Sequence, residues 1–160
     1  MSGAYKRKTN PILFHISAIV LFFLLTIISP YSHAENPPNN DHITFTKPWV
    51  RLLPPTVMST AGYVEINNSS TEADKLLDVW SSTINKVSVH QTKEVDGLLK
   101  MLEAENTTIP PMGKLVLQPG GYHLMLMGIK KPLVENDTIT IHFEFERAGI
   151  INMKFPVLKK

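Results

Sequence analysis

The sequence predicts an all-β domain, an antiparallel sandwich or Greek-key barrel, over residues 43–160. Three observations carry this. After residue 42 no stretch keeps a helical period; short runs rich in β-branched and aromatic residues recur along the chain; and turn-forming residues stand between them at short intervals.

The strand-like runs are residues 43–51, 60–67, 74–81, 86–94, 98–105, 114–117, 122–128, 138–147 and 150–157. Pro54-Pro55 closes the first, and Asn67-Asn68-Ser69-Ser70 closes the second. Asp96-Gly97 joins the fourth to the fifth, Pro110-Pro111 and Pro119-Gly120-Gly121 bracket the short sixth, and Asn136-Asp137 precedes the eighth. In that eighth run Ile139, Ile141, Phe143 and Phe145 alternate inward, which leaves His142 as a solvated surface histidine among glutamates. Met153 alternates with Ile151, Phe155 and Val157 and is placed in the core, whereas Trp49 and Trp80 are core or rim aromatics. The triplets beginning at Asn68, Asn106 and Asn136 fit a glycosylation signal, but their composition is that of turns.

Ahead of this domain stand Lys6, Arg7 and Lys8, an apolar stretch over 12–29, Pro30, and Ser32-His33-Ala34. Basic, apolar and small-x-small segments in this order make residues 1–34 a secretory signal peptide, with an uncleaved membrane anchor as the competing reading. Residues 35–42, polar and proline-rich, form a flexible lead-in. The leader holds three of the 16 basic residues and no acidic one, so 13 basic against 14 acidic residues leave the remainder at −1. No basic cluster remains, which argues against a nucleic-acid partner. The chain also has no cysteine, so an exported domain relies on its apolar core, and a soft metal site must be built without thiolate.

Two histidine–methionine pairs point to such a site. Read as a strand, Tyr122-His123-Leu124-Met125-Leu126-Met127 places His123, Met125 and Met127 on one face. Residues i and i+2 lie about 7 Å apart, close enough for an imidazole and a flexible thioether to meet on one ion. Such a face also suits core packing, but a second pair weighs against that. If Asp96-Gly97 forms a two-residue turn, Thr92 pairs with Met101 and His90 with Glu103, and all four share a face. Neutral imidazole and thioether donors select Cu(I) over Zn²⁺, Ca²⁺ or Mg²⁺, and a blue-copper centre would need the absent cysteine. No nucleophile–base pair or paired carboxylates stand out, so the chain is read as a non-enzyme.

The spacing His90-x10-Met101-x21-His123-x-Met125 resembles the motif of the PCuAC family of periplasmic copper chaperones. The resemblance runs from Lys47-Pro48-Trp49-Val50-Arg51 through Gly62-Tyr63 and the Gly120–Gly128 stretch to Phe145-Glu146-Arg147-Ala148-Gly149. It implies a cupredoxin-like β-sandwich that holds Cu(I) at an exposed rim through His90, Met101, His123 and Met125. It further implies a monomer that delivers the ion to an acceptor, cytochrome c oxidase subunit II or another copper chaperone. Thr92 stands where many relatives carry a further methionine, and no His/Met-rich tail follows Leu158-Lys159-Lys160. Met127 is expected to shield the site or pack beneath it, with Glu103 a solvated neighbour of His90. Copper storage, scavenging or uptake uses the same donors; a copper redox enzyme and a metal-free structural sandwich are the remaining alternatives.

Overall fold

The computed structural model describes residues 41–160. The leader expected at 1–34, and all of the lead-in except Asp41 and His42, lie outside the described residues. Among these there is no helix. Ten strands follow one another: β1 (Ile43–Arg51), β2 (Ser59–Asn68), β3 (Asp74–Trp80), β4 (Ile84–Val95), β5 (Leu98–Glu103), β6 (Thr108–Ile109), β7 (Lys114–Leu117), β8 (Tyr122–Ile129), β9 (Thr138–Phe145) and β10 (Gly149–Leu158).

They link into one sheet in the order β5-β4-β8-β7-β2-β1-β10-β9-β3-β6, with β8 also pairing β2. The sheet folds over at β1 and β10, so that its two halves face each other across the core. Phe45 of β1 meets Phe143 and Phe145 of β9 at ring-centroid distances of 4.9 and 6.1 Å. Val64, Ile66, Leu124 and Leu126 come from one half and Ile141, Phe143, Phe155 and Val157 from the other, all fully buried or nearly so. Each such side chain contributes about 1.5–3 kcal/mol relative to exposure. The pairing is antiparallel except at two points, β1 with β10 and β7 with β8.

Two local features position the outer face of the β5–β1 half. A bulge in β1 sets Thr46 opposite Glu65 but Trp49 opposite Tyr63, one residue more on β1 than on β2. Lys47 takes φ 54° there, its ammonium 2.7 Å from Glu65, and Pro48 gives up no ladder donor at the irregularity. Ile43 and Phe45 therefore point inward before the bulge and Val50 after it, while Trp49 and Arg51 turn outward. At the other feature, Asp96 and Gly97 take φ 55° and 77°, the left-handed pair of a tight hairpin.

His42, in the segment expected as lead-in, is already tied to the domain, with Nε2 3.1 Å from the buried Asp74 carboxylate. His142 is half-buried rather than solvated. Its ring stacks on Trp80 at 5.3 Å, and its Nδ1 lies 2.6 Å from Asn152 Oδ1. Met153 and Trp49 are partly buried, Met153 packing against the margin of the core. Asn68 makes a turn as expected: Oδ1 accepts from Ser70 N at 2.9 Å, and the residue is only 2% exposed.

Candidate metal centre

The hairpin pairs as the turn dictates, with Val95 opposite Leu98, Thr92 opposite Met101 and His90 opposite Glu103. On its other side β4 runs antiparallel to β8, which sets His90 directly opposite His123 and Ser88 opposite Met125. The two imidazoles lie side by side, with centroids 6.0 Å apart and planes tilted by 47°. Two metal–nitrogen bonds of about 2 Å fit within that separation.

The alternation of β8 explains the environment. Leu124 and Leu126 enter the core at 0% exposure, which forces His123, Met125 and Met127 onto the outer face. His123 is nevertheless only 4% exposed, because neighbouring outer-face side chains cover it. It lines a cleft of about 350 Å³ together with Met101, Met125, Thr92, Tyr63 and Arg51. Three of the expected ligands thus share this cleft, and His90 abuts it through its contact with His123. Met127 and Glu103 are not among the lining residues; Glu103 is exposed beside His90, as expected.

Hydrogen bonding fixes which nitrogen is available. His123 Nδ1 lies 3.2 Å from the carbonyl oxygen of Gly121, an atom that can only accept, so the proton sits on Nδ1. Nε2 then carries a lone pair, is shielded from solvent, and has no hydrogen-bond partner. A buried acceptor in this state is costly unless something binds it. His90 Nε2 lies 3.0 Å from Ser88 Oγ. To bind through Nε2, His90 has only to release that hydroxyl; through Nδ1 it keeps it. Burial lowers the His90 pKa, and His123 and Lys86 lower it further against an opposing pull from Glu103, so the ring stays neutral and able to ligate.

Met101 stands at the opening, 64% exposed, on a β5 strand whose six residues are all exposed. Met125 is half-buried on the floor beside His123. Among the described residues no three His, Cys, Asp or Glu side chains converge on a point, so the donors that do gather are imidazole and thioether. That set is suited to a soft monovalent ion. Ser88 and Gly121 hydrogen-bond the two histidines, and Tyr63 and Arg51 line the cleft; the sequence reading assigned none of these contacts. Ser88 could have been found from its i−2 position on the face of His90.

A family model described as "Putative lipoprotein LpqE-like" matches residues 43–157. The chain is 27% identical over 144 residues to "Putative lipoprotein Lxx21020" of Leifsonia xyli subsp. xyli, covering 89% of this chain and 86% of that one. Among solved structures, the copper-bound PCuAC domain from PmoF2 matches with a TM-score of 0.62 at 22% identity, over 74% of this chain and 94% of that one. The Cu(I) form of DR1885 from Deinococcus radiodurans matches with a TM-score of 0.58 at 28% identity, over 81% and 84%. The cupredoxin-like fold expected from the sequence is therefore the fold observed.

Proposed function

This chain belongs to the LpqE-like family, and from that premise we propose that it is an exported Cu(I) carrier. His90, Met101, His123 and Met125 hold the ion, and the carrier passes it to an acceptor protein by ligand exchange. The observation that carries the proposal is the His123 Nε2 lone pair, buried, unpartnered, and set beside His90 in a cleft shared with both methionines. The similar DR1885 was solved with Cu(I), and a PCuAC domain of like fold with copper, which supports the choice of cargo.

A carrier must hold its ion against water yet release it to a stronger ligand. Neutral thioethers and imidazoles have this property toward Cu(I), since a thiolate outcompetes them. Met101 is placed to leave first, being the most exposed donor on the least supported strand. The acceptor we propose is the binuclear copper centre of cytochrome c oxidase subunit II, on the strength of the motif's resemblance. No catalytic role is assigned, and the protein works outside the cytoplasm behind its 1–34 leader. A relative named as a lipoprotein agrees with export, and in this sequence, which has no cysteine, the apolar 12–29 stretch is the candidate anchor if the leader is retained.

The test is an anaerobic Cu(I) titration of the full-length protein against a competing chromophoric chelator, run beside Met101→Ala and Met125→Ala. One tight equivalent, weakened at least tenfold by each substitution, is expected on the loss of a soft donor. Binding indifferent to both would remove the proposed site.

A further inference from the structure

Arg51 forms part of the wall of the donor cleft, and holding the ion gives it no task. The side chains that line the cleft include Arg51, His123, Met101 and Met125, but no aspartate or glutamate. The β1 bulge is what brings the arginine there. Val50 pairs with Gly62, and one residue on, Ala61 pairs with Met125, so Arg51 ends the row that runs through Ala61 to a proposed ligand.

The guanidinium is held by rings. Its carbon lies 5.5 Å from the Tyr63 ring centroid and 6.0 Å from that of Trp49, and Thr60 Oγ1 donates to the Arg51 carbonyl at 2.6 Å. Its Nε is shielded from solvent and has no hydrogen-bond partner. A shielded N–H on a permanent cation is costly unless an acceptor reaches it, and an anion is the acceptor that suits a guanidinium. Charge leads to the same conclusion. The four proposed donors are neutral, and Lys160 Nζ already lies 4.8 Å from the same Trp49 ring, so bound Cu(I) adds a further positive charge with no carboxylate lining the cleft to offset it.

We infer that Arg51 forms an anion subsite beside the donor cluster, and that it receives the thiolate of the incoming copper acceptor. The inference rests on the Cu(I)-carrier reading. A carboxylate would satisfy the guanidinium but is a hard, weak donor to Cu(I), whereas a thiolate suits both partners. In the exchange the acceptor thiol gives its proton to water and the thiolate sulfur bonds to copper as the Met101 Sδ–copper bond breaks. Copper stays Cu(I) throughout and no electron moves.

The test compares the wild-type full-length protein with Arg51→Gln and Arg51→Lys. Each is loaded with Cu(I) and mixed anaerobically with a two-cysteine peptide or with the same peptide carrying methionines instead. Arg51→Gln is expected to slow transfer to the cysteine peptide about tenfold, with Arg51→Lys recovering part of the loss and transfer to the methionine peptide changing less than about twofold. Equal slowing toward both peptides, or none toward either, would overturn the inference. A copper-free arm follows the Arg51 Nε–H resonance during titration with thiocyanate. A saturable shift, with the accompanying shift of the Trp49 indole N–H lost in Arg51→Gln, supports the subsite even if the Cu(I)-carrier reading fails; no shift contradicts it. Thermal melts of the variants within a few degrees of wild type show that the fold is kept.

Discussion

His123 donates from Nδ1 to the carbonyl oxygen of Gly121, two residues earlier in the chain, and this one bond leaves Nε2 as a buried lone pair on a ring that helps line a cleft. The turn geometry of Gly120, at φ 80°, sits just before that carbonyl. The Gly-Gly pair ahead of β8 thus sets the tautomer of the proposed ligand as well as the entry of the strand.

An unpartnered buried nitrogen costs the copper-free protein stability that a hydrocarbon would not. His123→Leu is expected to keep the stability of the copper-free protein, or raise it by up to about 1 kcal/mol, while abolishing the thermal stabilisation that Cu(I) gives the wild type. Paired melts with and without Cu(I) read both effects. A large loss in the copper-free variant would show that the imidazole is structural.

The lowered His90 pKa makes the fold sensitive to acid in a defined direction. Burial and the neighbouring His123 disfavour the charged ring in the folded state, so the folded pKa lies below the unfolded value near 6.5. The unfolded chain then binds more protons in the window between the two. Stability is fully present above the unfolded pKa and is lost as pH falls toward the folded one. Denaturant melts from pH 7.5 to 5 are expected to show a steeper loss for wild type than for His90→Gln. Identical slopes would mean that His90 does not titrate differently on folding.

Copper should tie down the β4–β5 hairpin. Every β5 residue is exposed and the strand pairs only with β4, so it opens at low cost. A Met101 bond to an ion held by His123 would couple it to the core. Hydrogen exchange of amides 98–103 is expected to slow at least tenfold on Cu(I) loading, an effect lost in Met101→Ala. Unchanged exchange in wild type would exclude Met101 as a ligand.

Asp74, 1% exposed, accepts from the backbone N–H groups of Lys75, Arg147 and Ala148 at 2.7–3.0 Å and also meets His42. It joins β3 to the β9–β10 turn, away from the cleft. Asp74→Ala leaves the buried Ala148 N–H and the part-buried Lys75 and Arg147 N–H groups without their acceptor and should cost about 3 kcal/mol in denaturant melts. The Cu(I) affinity of the folded fraction should stay within about twofold, because distant sites act nearly independently.

The fold was largely legible because every strand but β6 is announced by local chemistry. Asp96-Gly97 fixes the hairpin register by its turn type alone, so the opposition of Thr92 and Met101 could be read directly. Thr108–Ile109 was not legible, since two residues carry no alternation; β6 forms where Thr107 and Thr108 reach the edge of β3. Nor was the β1 bulge. Simple alternation from Ile43 keeps Trp49 and Arg51 on the inward face, and only the extra residue at Lys47-Pro48 turns them out toward the cleft. The opposition of His90 and His123 depends on a pairing between strands distant in sequence, which local patterns do not encode. The motif's resemblance implied a shared site, and the β4–β8 register supplies the juxtaposition. His142 looked like a surface residue from its alternation with core side chains, but Trp80 covers it from the neighbouring strand.

The most direct measurement is the copper K-edge X-ray absorption of the anaerobically loaded full-length protein, with Met125→Ala and His123→Ala beside it. Ligation by His90, Met101, His123 and Met125 predicts Cu(I) with two sulfur and two nitrogen scatterers, one sulfur lost in Met125→Ala and one nitrogen lost in His123→Ala. A first shell of nitrogen and oxygen alone, or one unchanged by both substitutions, would contradict it.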